Sequence, residues 1–260
     1  MKKYLVIGNP IDHSLSPKLH NYWIKENNLK AIYDKRQINK NDIEEIITEV
    51  KNEKIHGINV TVPFKKTVIP FLDRLTSVAE ETQSVNTIFK KDDKIIGDNT
   101  DVSGFENAAK HFDYDIKNKK IFILGAGGVV SSIILALNKI GVSKISLSNR
   151  TKEKVENFKK IYSDLEIIDW GKNTDFDVII NATSLGLQNN DQIKLDFSKI
   201  GPNKLFYDVI YNPNKTNFLA KGEELGNKIE NGKMMFIYQA QMSFKIWHNI
   251  LPKINNKLLD

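Results

Sequence analysis

Two groups of residues in this chain have types and spacings that could do chemistry. The first is Lys120-Ile-Phe-Ile-Leu-Gly-Ala-Gly-Gly-Val-Val130, followed by Ser131-Ser-Ile-Ile-Leu-Ala-Leu-Asn138. Ile121 to Leu124 form an apolar run of strand length without helical spacing, Gly125, Gly127 and Gly128 make a tight turn, and an apolar helix stops near Gly141. Strand, glycine turn and helix in that order let backbone N–H groups and a helix N-terminus approach a pyrophosphate. The sixth position of this fingerprint is Val130, where Gly or Ala packs helix and strand closest. The next strand, Lys144 to Ser148, ends in Asn149-Arg150-Thr151. A carboxylate there would bind a ribose 2′-hydroxyl; Arg150 pairs instead with a 2′-phosphate, and Asn149 and Thr151 offer hydrogen bonds. The pattern predicts NADP rather than NAD.

The second group begins at His56-Gly-Ile-Asn-Val-Thr-Val-Pro-Phe-Lys65. Ile58, Val60 and Val62 alternate with Asn59 and Thr61, so one strand face is apolar and the other presents an amide and a hydroxyl. Lys65 follows in the turn after Pro63, and strand ends are where α/β folds place reactive side chains. Further on, Thr100 or Asp101 either caps a helix from Val102 to Phe112 or serves a site; both readings stay open. Ser14 and Ser16 read by themselves as turn and cap hydroxyls, with Ser16 as N-cap and Pro17 in the first turn of a helix reaching Asn27.

The elements that must hold these groups are strands at Tyr4–Ile7 and Ala31–Ile38 and a helix at Lys40–Lys51 with Asn41 as a possible cap. Short helices are expected at Thr67–Leu72 and Ser77–Thr82, then a hairpin of Ser84–Phe89 and Lys94–Gly97. Beyond the glycine turn come a helix at Thr151–Tyr162, strands at Leu165–Ile168, Phe176–Ile180 and Lys204–Ile210, and a last helix at Phe236–Ile250. Strands whose C-terminal ends carry Gly, Ser, Thr and Asn suit the crevice of a doubly wound sheet.

Composition excludes several classes. The 260 residues are 40% hydrophobic and 27% charged, as in globular chains. There is no cysteine, and the five histidines have no ligand spacing, so neither disulfides, thiol nucleophiles nor a metal site is expected. The net charge of +6 is spread among acids without a basic block, so no nucleic-acid partner is predicted. The apolar run at Tyr4–Ile7 is too short for a signal peptide, and no run approaches membrane-spanning length. The expected location is the cytoplasm, without membrane partners.

Together the motifs resemble the shikimate dehydrogenases of the monofunctional bacterial type, from Gly8 to Pro252. They are Gly8-Asn-Pro-Ile-Asp-His-Ser-Leu-Ser-Pro17, Asn59-Val-Thr-Val-Pro-Phe-Lys65, Val85-Asn-Thr87, Asn99-Thr-Asp101, Gly125-Ala-Gly-Gly128, Asn149-Arg-Thr151, Asn181-Ala-Thr-Ser184, Tyr211-Asn-Pro213 and Gln239. The resemblance implies an α/β chain of two domains with a cleft between them. Residues 1–101, completed by 237–260, would form a mixed-sheet substrate-binding and catalytic domain, and residues 102–236 a Rossmann-type NADP domain. The implied activity is reversible NADPH-dependent reduction of 3-dehydroshikimate to shikimate, a step toward chorismate and the aromatic amino acids, by a monomer or homodimer. Lys65 and Asp101 are then the catalytic pair. Ser14, Ser16, Asn59, Thr61, Asn86, Asp101, Tyr211 and Gln239 surround the substrate. Gly125, Ala126, Gly127, Gly128, Val129, Asn149, Arg150, Thr151, Lys154, Ala182, Thr183, Ser184, Ile210, Gly232 and Met235 meet the cofactor. Three positions depart from the family pattern: Gln83 and Ser84 stand where Gly-Ala is common, and Met234 replaces a glycine.

Chemistry agrees with that assignment. Hydride arriving at a ketone carbon creates an alkoxide, which needs a cation or proton donor at its oxygen. An ammonium fits, and a neighbouring carboxylate would aim it. Three other readings use the same motifs: an NAD-linked quinate/shikimate dehydrogenase, a glycine-loop methyltransferase and a non-catalytic NADP sensor. Arg150 disfavours the first, Asn149-Arg150 the second, and the presence of both Lys65 and Asp101 the third.

Overall fold

The computed structural model describes residues 1–188 and 190–255, which divide into two compact units, 1–104 with 237–255 and 105–236. The first unit holds β1 (Lys2–Gly8), α1 (Ser16–Glu26), β2 (Ala31–Gln37), α2 (Ile43–Lys51), β3 (Gly57–Val60), β4 (Arg74–Leu75), α3 (Ser77–Thr82), β5 (Thr87–Lys91) and β6 (Lys94–Asp98). Helix α4 (Asp101–Ala109) follows, and the division falls inside it. The sheet order is β2-β1-β3-β5-β6-β4; β1, β2 and β3 run parallel, while β5 is antiparallel to both β3 and β6. Helix α2 buries Ile43, Ile46, Ile47 and Val50, a one-sided stripe that joins Ile7, Ile58 and Ile88 of the strands in one core. Each such side chain contributes about 1.5–3 kcal/mol of transfer free energy.

The second unit holds β7 (Lys120–Leu124), α5 (Val130–Ile140), β8 (Lys144–Ser148), α6 (Lys152–Ile161), β9 (Glu166–Ile167), β10 (Val178–Asn181), β11 (Leu205–Asp208), α7 (Asn217–Glu224) and β12 (Lys228–Asn231). Its sheet is wholly parallel in the order β12-β11-β10-β7-β8-β9, so β7 is the strand at which the order reverses. Helix α5 buries every residue from Val130 to Leu137 and ends at Gly141, whose φ of 85° only glycine adopts without strain. Val130 is fully buried as the first helical residue, so the fold accommodates it at the fingerprint's sixth position. The last helix, α8 (Lys233–His248), belongs mainly to the first unit. Among the described residues no helix is long and apolar enough to cross a membrane. Residues 256–260, the end of the expected C-terminal segment, lie outside the described residues.

Several local expectations are corrected. Ser16 does not cap α1: Leu15 is the N-cap residue, without a side-chain cap bond, and Ser16 is already helical and buried. Asn39 rather than Asn41 caps the next helical stretch, through a reciprocal box with Asp42. Strand β3 ends at Val60, and Val62, expected on its apolar face, is 64% exposed in the following turn. The segment expected to be helical over Thr67–Leu72 is one 3-10 turn at Ile69–Phe71. Helix α8 starts at Lys233, before the expected Phe236. Elements β4, α7 and β12 were not expected at all.

Candidate active site

In the first unit, the turn after β3 hands Lys65 to a carboxylate. The Phe64 N–H bonds back to the Thr61 carbonyl at 3.0 Å, and the Lys65 carbonyl accepts from the Val85 N–H at 2.8 Å, which fixes the backbone on both sides. The Lys65 Nζ then lies 2.5 Å from Asp101 Oδ2, with side-chain exposures of 12% and 7%. An ammonium and a carboxylate this close and this dry form a charge-assisted bond of defined direction.

The other carboxylate oxygen is held independently. Asn86 Nδ2 donates to Asp101 Oδ1 at 2.8 Å and to Thr100 Oγ1 at 3.0 Å, while Asn86 Oδ1 accepts from the Thr100 N–H at 2.8 Å. Asp101 is the first residue of α4, and its N–H donates to Asn99 Oδ1 at 3.0 Å, so the amide of Asn99 supports the helix start. Gln239 of α8 approaches the same Asn86 amide at 3.4 Å. The structure therefore brings Lys65, Asp101, Asn86 and Gln239 together.

Beneath them lies a layer built on Asn59, a residue expected at the site, with Tyr33, Thr87 and Ser243, whose part in it sequence reasoning missed. Asn59 Nδ2 reaches the Asn86 carbonyl at 3.0 Å, Thr87 Oγ1 at 3.2 Å and Ser243 Oγ at 2.9 Å; its Oδ1 accepts from the Tyr33 hydroxyl at 2.7 Å. Asn59 is buried, so its amide orients its neighbours from below. Burial lifts the Tyr33 phenol well above its ordinary range, and a hydrogen bond to Ser16 pulls it back. Ser14 Oγ accepts from the Ser16 N–H at 3.3 Å, so the two serines sit on one short turn. Thr61 is half-buried and its N–H bonds the Ile7 carbonyl at 2.9 Å, at the end of β1.

The second unit presents the glycine turn at the end of β7. Gly125 has φ of 114°, and a Cβ there would stand 2.7 Å from the Ala182 carbonyl oxygen, so both conformation and space require glycine. Gly127 is exposed, and a Cβ on it would stand 4.0 Å from the Ala182 oxygen. Gly128 and Val129 lead into α5, with the Val130 N–H on the Gly127 carbonyl at 3.1 Å. At the end of β8, Asn149 Nδ2 bonds the Thr151 carbonyl at 3.0 Å, and Arg150 and Lys154 are exposed. These groups fit a dinucleotide with a 2′-phosphate: a glycine turn leading into a helix N-terminus, and a fork of guanidinium donors one strand away. Ala182, Thr183 and Ser184 follow β10, Ile210 follows β11, and Gly232 precedes α8, where a Cβ would stand 2.1 Å from the Val209 oxygen. Met235 is buried, and Tyr211 stacks on Phe236 at 4.5 Å between ring centroids. Among the described residues no cluster of metal-ligating side chains occurs.

Comparison with known proteins gives the family. The family model described as shikimate dehydrogenase substrate binding domain matches residues 6–88, and that described as shikimate / quinate 5-dehydrogenase matches residues 106–192. A shikimate dehydrogenase (NADP(+)) of Pelagibacter ubique is 56% identical, covering 100% of this chain and 98% of its own. The crystal structure of shikimate dehydrogenase from Aquifex aeolicus has a TM-score of 0.90 at 35% identity, over 100% of this chain and 96% of that one. A shikimate dehydrogenase crystallised in complex with NADP+ has a TM-score of 0.92 at 31% identity, over 100% and 93%. With these relatives covered over nearly their whole length, and with residues 6–88 and 106–192 each matched by a model of the family, the chain belongs to the shikimate dehydrogenase family.

Proposed function

We propose that this chain interconverts 3-dehydroshikimate and shikimate with NADP as the cofactor. The observation that carries the reading is the dry Lys65–Asp101 pair beside Asn86 and Gln239, in a chain whose relatives are named for that activity. NADPH supplies the hydride when bound. Lys65 donates a proton from Nζ to the carbonyl oxygen as it becomes an alcohol, and takes it back in the oxidative direction. Asp101 aims the ammonium through Oδ2 while Asn86 fixes Oδ1, so the lysine loses little freedom at the moment of reaction. Ser14 and Ser16 bind the substrate carboxylate, Thr61, Asn86, Gln239 and Tyr211 serve its ring and hydroxyls, and Asn59 supports them from beneath through the Asn86 carbonyl.

On the cofactor side Gly125, Ala126, Gly127, Gly128 and Val129 hold the pyrophosphate, and Asn149, Arg150, Thr151 and Lys154 hold the phosphorylated adenosine. The test is shikimate-dependent reduction of NADP against NAD, followed by nicotinamide absorbance. NADP should be strongly preferred. Arg150→Ala should raise the NADP KM by about 10–100-fold, the loss of charge-assisted bonds worth ~1.5–3 kcal/mol, and leave that for NAD nearly unchanged. Preference for NAD in the wild type would overturn the cofactor reading; shikimate inert with either cofactor would overturn the reaction.

A further inference from the structure

Strands β10 and β11 end side by side in the second unit, with Asn181 directly opposite Asp208. Asp208 is fully buried, and the groups that hold it are neutral donors. Asn181 Nδ2 reaches both of its oxygens at 3.1 Å, the Ile210 N–H donates to Oδ1 at 3.0 Å, and the Thr216 hydroxyl donates to Oδ2 at 2.6 Å. A carboxylate only accepts, so it dictates the orientation of each donor.

The orientation propagates. With its nitrogen turned to Asp208, Asn181 bonds the Leu185 carbonyl at 3.0 Å, and its oxygen accepts from the Thr183 N–H at 3.1 Å and the Thr183 hydroxyl at 2.7 Å. Thr183 Oγ1 in turn accepts from the Leu185 N–H at 3.0 Å. The loop over residues 182–185 is thus wound around one side chain, and that side chain is set by Asp208. On the other flank the Ile210 carbonyl accepts from the Gly232 N–H at 3.2 Å, which carries the same frame to the start of α8.

The topology says which part of a ligand this frame meets. The order of strands reverses at β7, with β8 and Arg150 on one side and β10 and β11 on the other. A dinucleotide whose pyrophosphate lies on the glycine turn, and whose 2′-phosphate is taken by Arg150, must extend its other half toward the β10 and β11 ends. We propose that Asp208 is a positioning residue for the nicotinamide half of the cofactor, acting through the Asn181 side chain and the Ile210 backbone. The proposal rests on the NADP reading above.

Asp208→Asn tests it, because the variant keeps the shape but turns one acceptor into a donor facing other donors. The Kd for NADP should rise by about 10-fold, the order expected for losing a charge-assisted hydrogen bond. Binding of 2′,5′-ADP, which carries the adenosine and its phosphate but no nicotinamide, should stay unchanged, as should the shikimate KM. Thr216→Val removes a single donor and should shift NADP binding the same way by a smaller factor; it carries the test if Asp208→Asn does not fold. A role limited to stability would weaken NADP and 2′,5′-ADP together, and that result, or unchanged NADP affinity in both variants, would overturn the proposal. A wild type that binds 2′,5′-ADP and NADP equally poorly would instead overturn the cofactor reading on which it rests.

Discussion

Lys65→Met should lose turnover by about 10³-fold, within the range of general-acid and electrostatic contributions, while binding of shikimate and NADP changes far less. Methionine retains most of the length and apolar stem of lysine, so the turn that runs from Thr61 to Val68 has no reason to move. What disappears is the ammonium 2.5 Å from Asp101, the cation that the structure places in this network. Because the interaction matters at the developing alkoxide and little in the ground state, kcat and kcat/KM should fall together. Asp101 keeps its bond from Asn86 at 2.8 Å but loses its ion pair, and breaking such a pair costs about 3–5 kcal/mol when wholly buried, less with the 12% exposure at Lys65. Melting temperature measured beside turnover therefore separates loss of fold from loss of chemistry. Asp101→Asn should lower kcat by a smaller factor, since the ammonium remains but is no longer aimed. Near-normal turnover in folded Lys65→Met would remove Lys65 from the reaction.

The residues that chemistry needs at strand ends were legible because their surroundings advertise them. Four apolar residues and three glycines locate β7 and its turn, and Arg150 stands where the next strand must end. Most of the layer beneath the Lys65–Asp101 pair was not legible. Tyr33 reads as one more strand aromatic, and Ser243 as a solvated position on a helix, yet Ser243 Oγ lies 2.9 Å from Asn59 and 2.8 Å from Thr87 and is fully buried. Nothing in local spacing distinguishes a buried hydroxyl from a wet one; only the fold brings a partner 156 positions away. Helix α7 was hidden for another reason. Gly222 in its interior disfavours helix by about 1 kcal/mol relative to alanine, but a Cβ there would stand 2.5 Å from the ring of Phe206, so packing overrides propensity. Strand β12, Lys-Ile-Glu-Asn, has one apolar residue because it is an edge strand, half-buried along most of its length. Asp208 reads as a polar residue inside the strand expected over Lys204–Ile210, whereas β11 ends on it and its four donor contacts come from Asn181, Ile210 and Thr216.

Acidification should destabilise the first unit through His20. That side chain is fully buried, its ring stacks on Tyr33 at 4.1 Å with a 5° interplanar angle, and neither ring nitrogen has a hydrogen-bond partner. Trp23 of its own helix and Phe244, Trp247 and His248 of α8 complete the surroundings, so a proton on the imidazole would find no anion. Burial, with a smaller contribution from His248, pushes the pKa of His20 down to about 3, and His248 itself falls to about 4 through burial and then Lys2. The sign follows from which state holds the proton. Below the ordinary histidine range the unfolded chain is protonated and the folded one is not, so the stability present above about pH 6.5 is lost progressively as pH falls toward 3. At pH 5 His20 alone accounts for about 2 kcal/mol, a sizeable part of the 5–15 kcal/mol that holds an ordinary domain together. Two of the three tryptophans, Trp23 and Trp247, lie in this cluster, so denaturant titrations followed by tryptophan fluorescence report on it directly. His20→Phe keeps a flat ring against Tyr33 and removes both the proton site and two unpaired nitrogens. The variant should lose clearly less stability than the wild type between pH 7 and pH 5, and equal losses in the two would show that the acid sensitivity lies elsewhere.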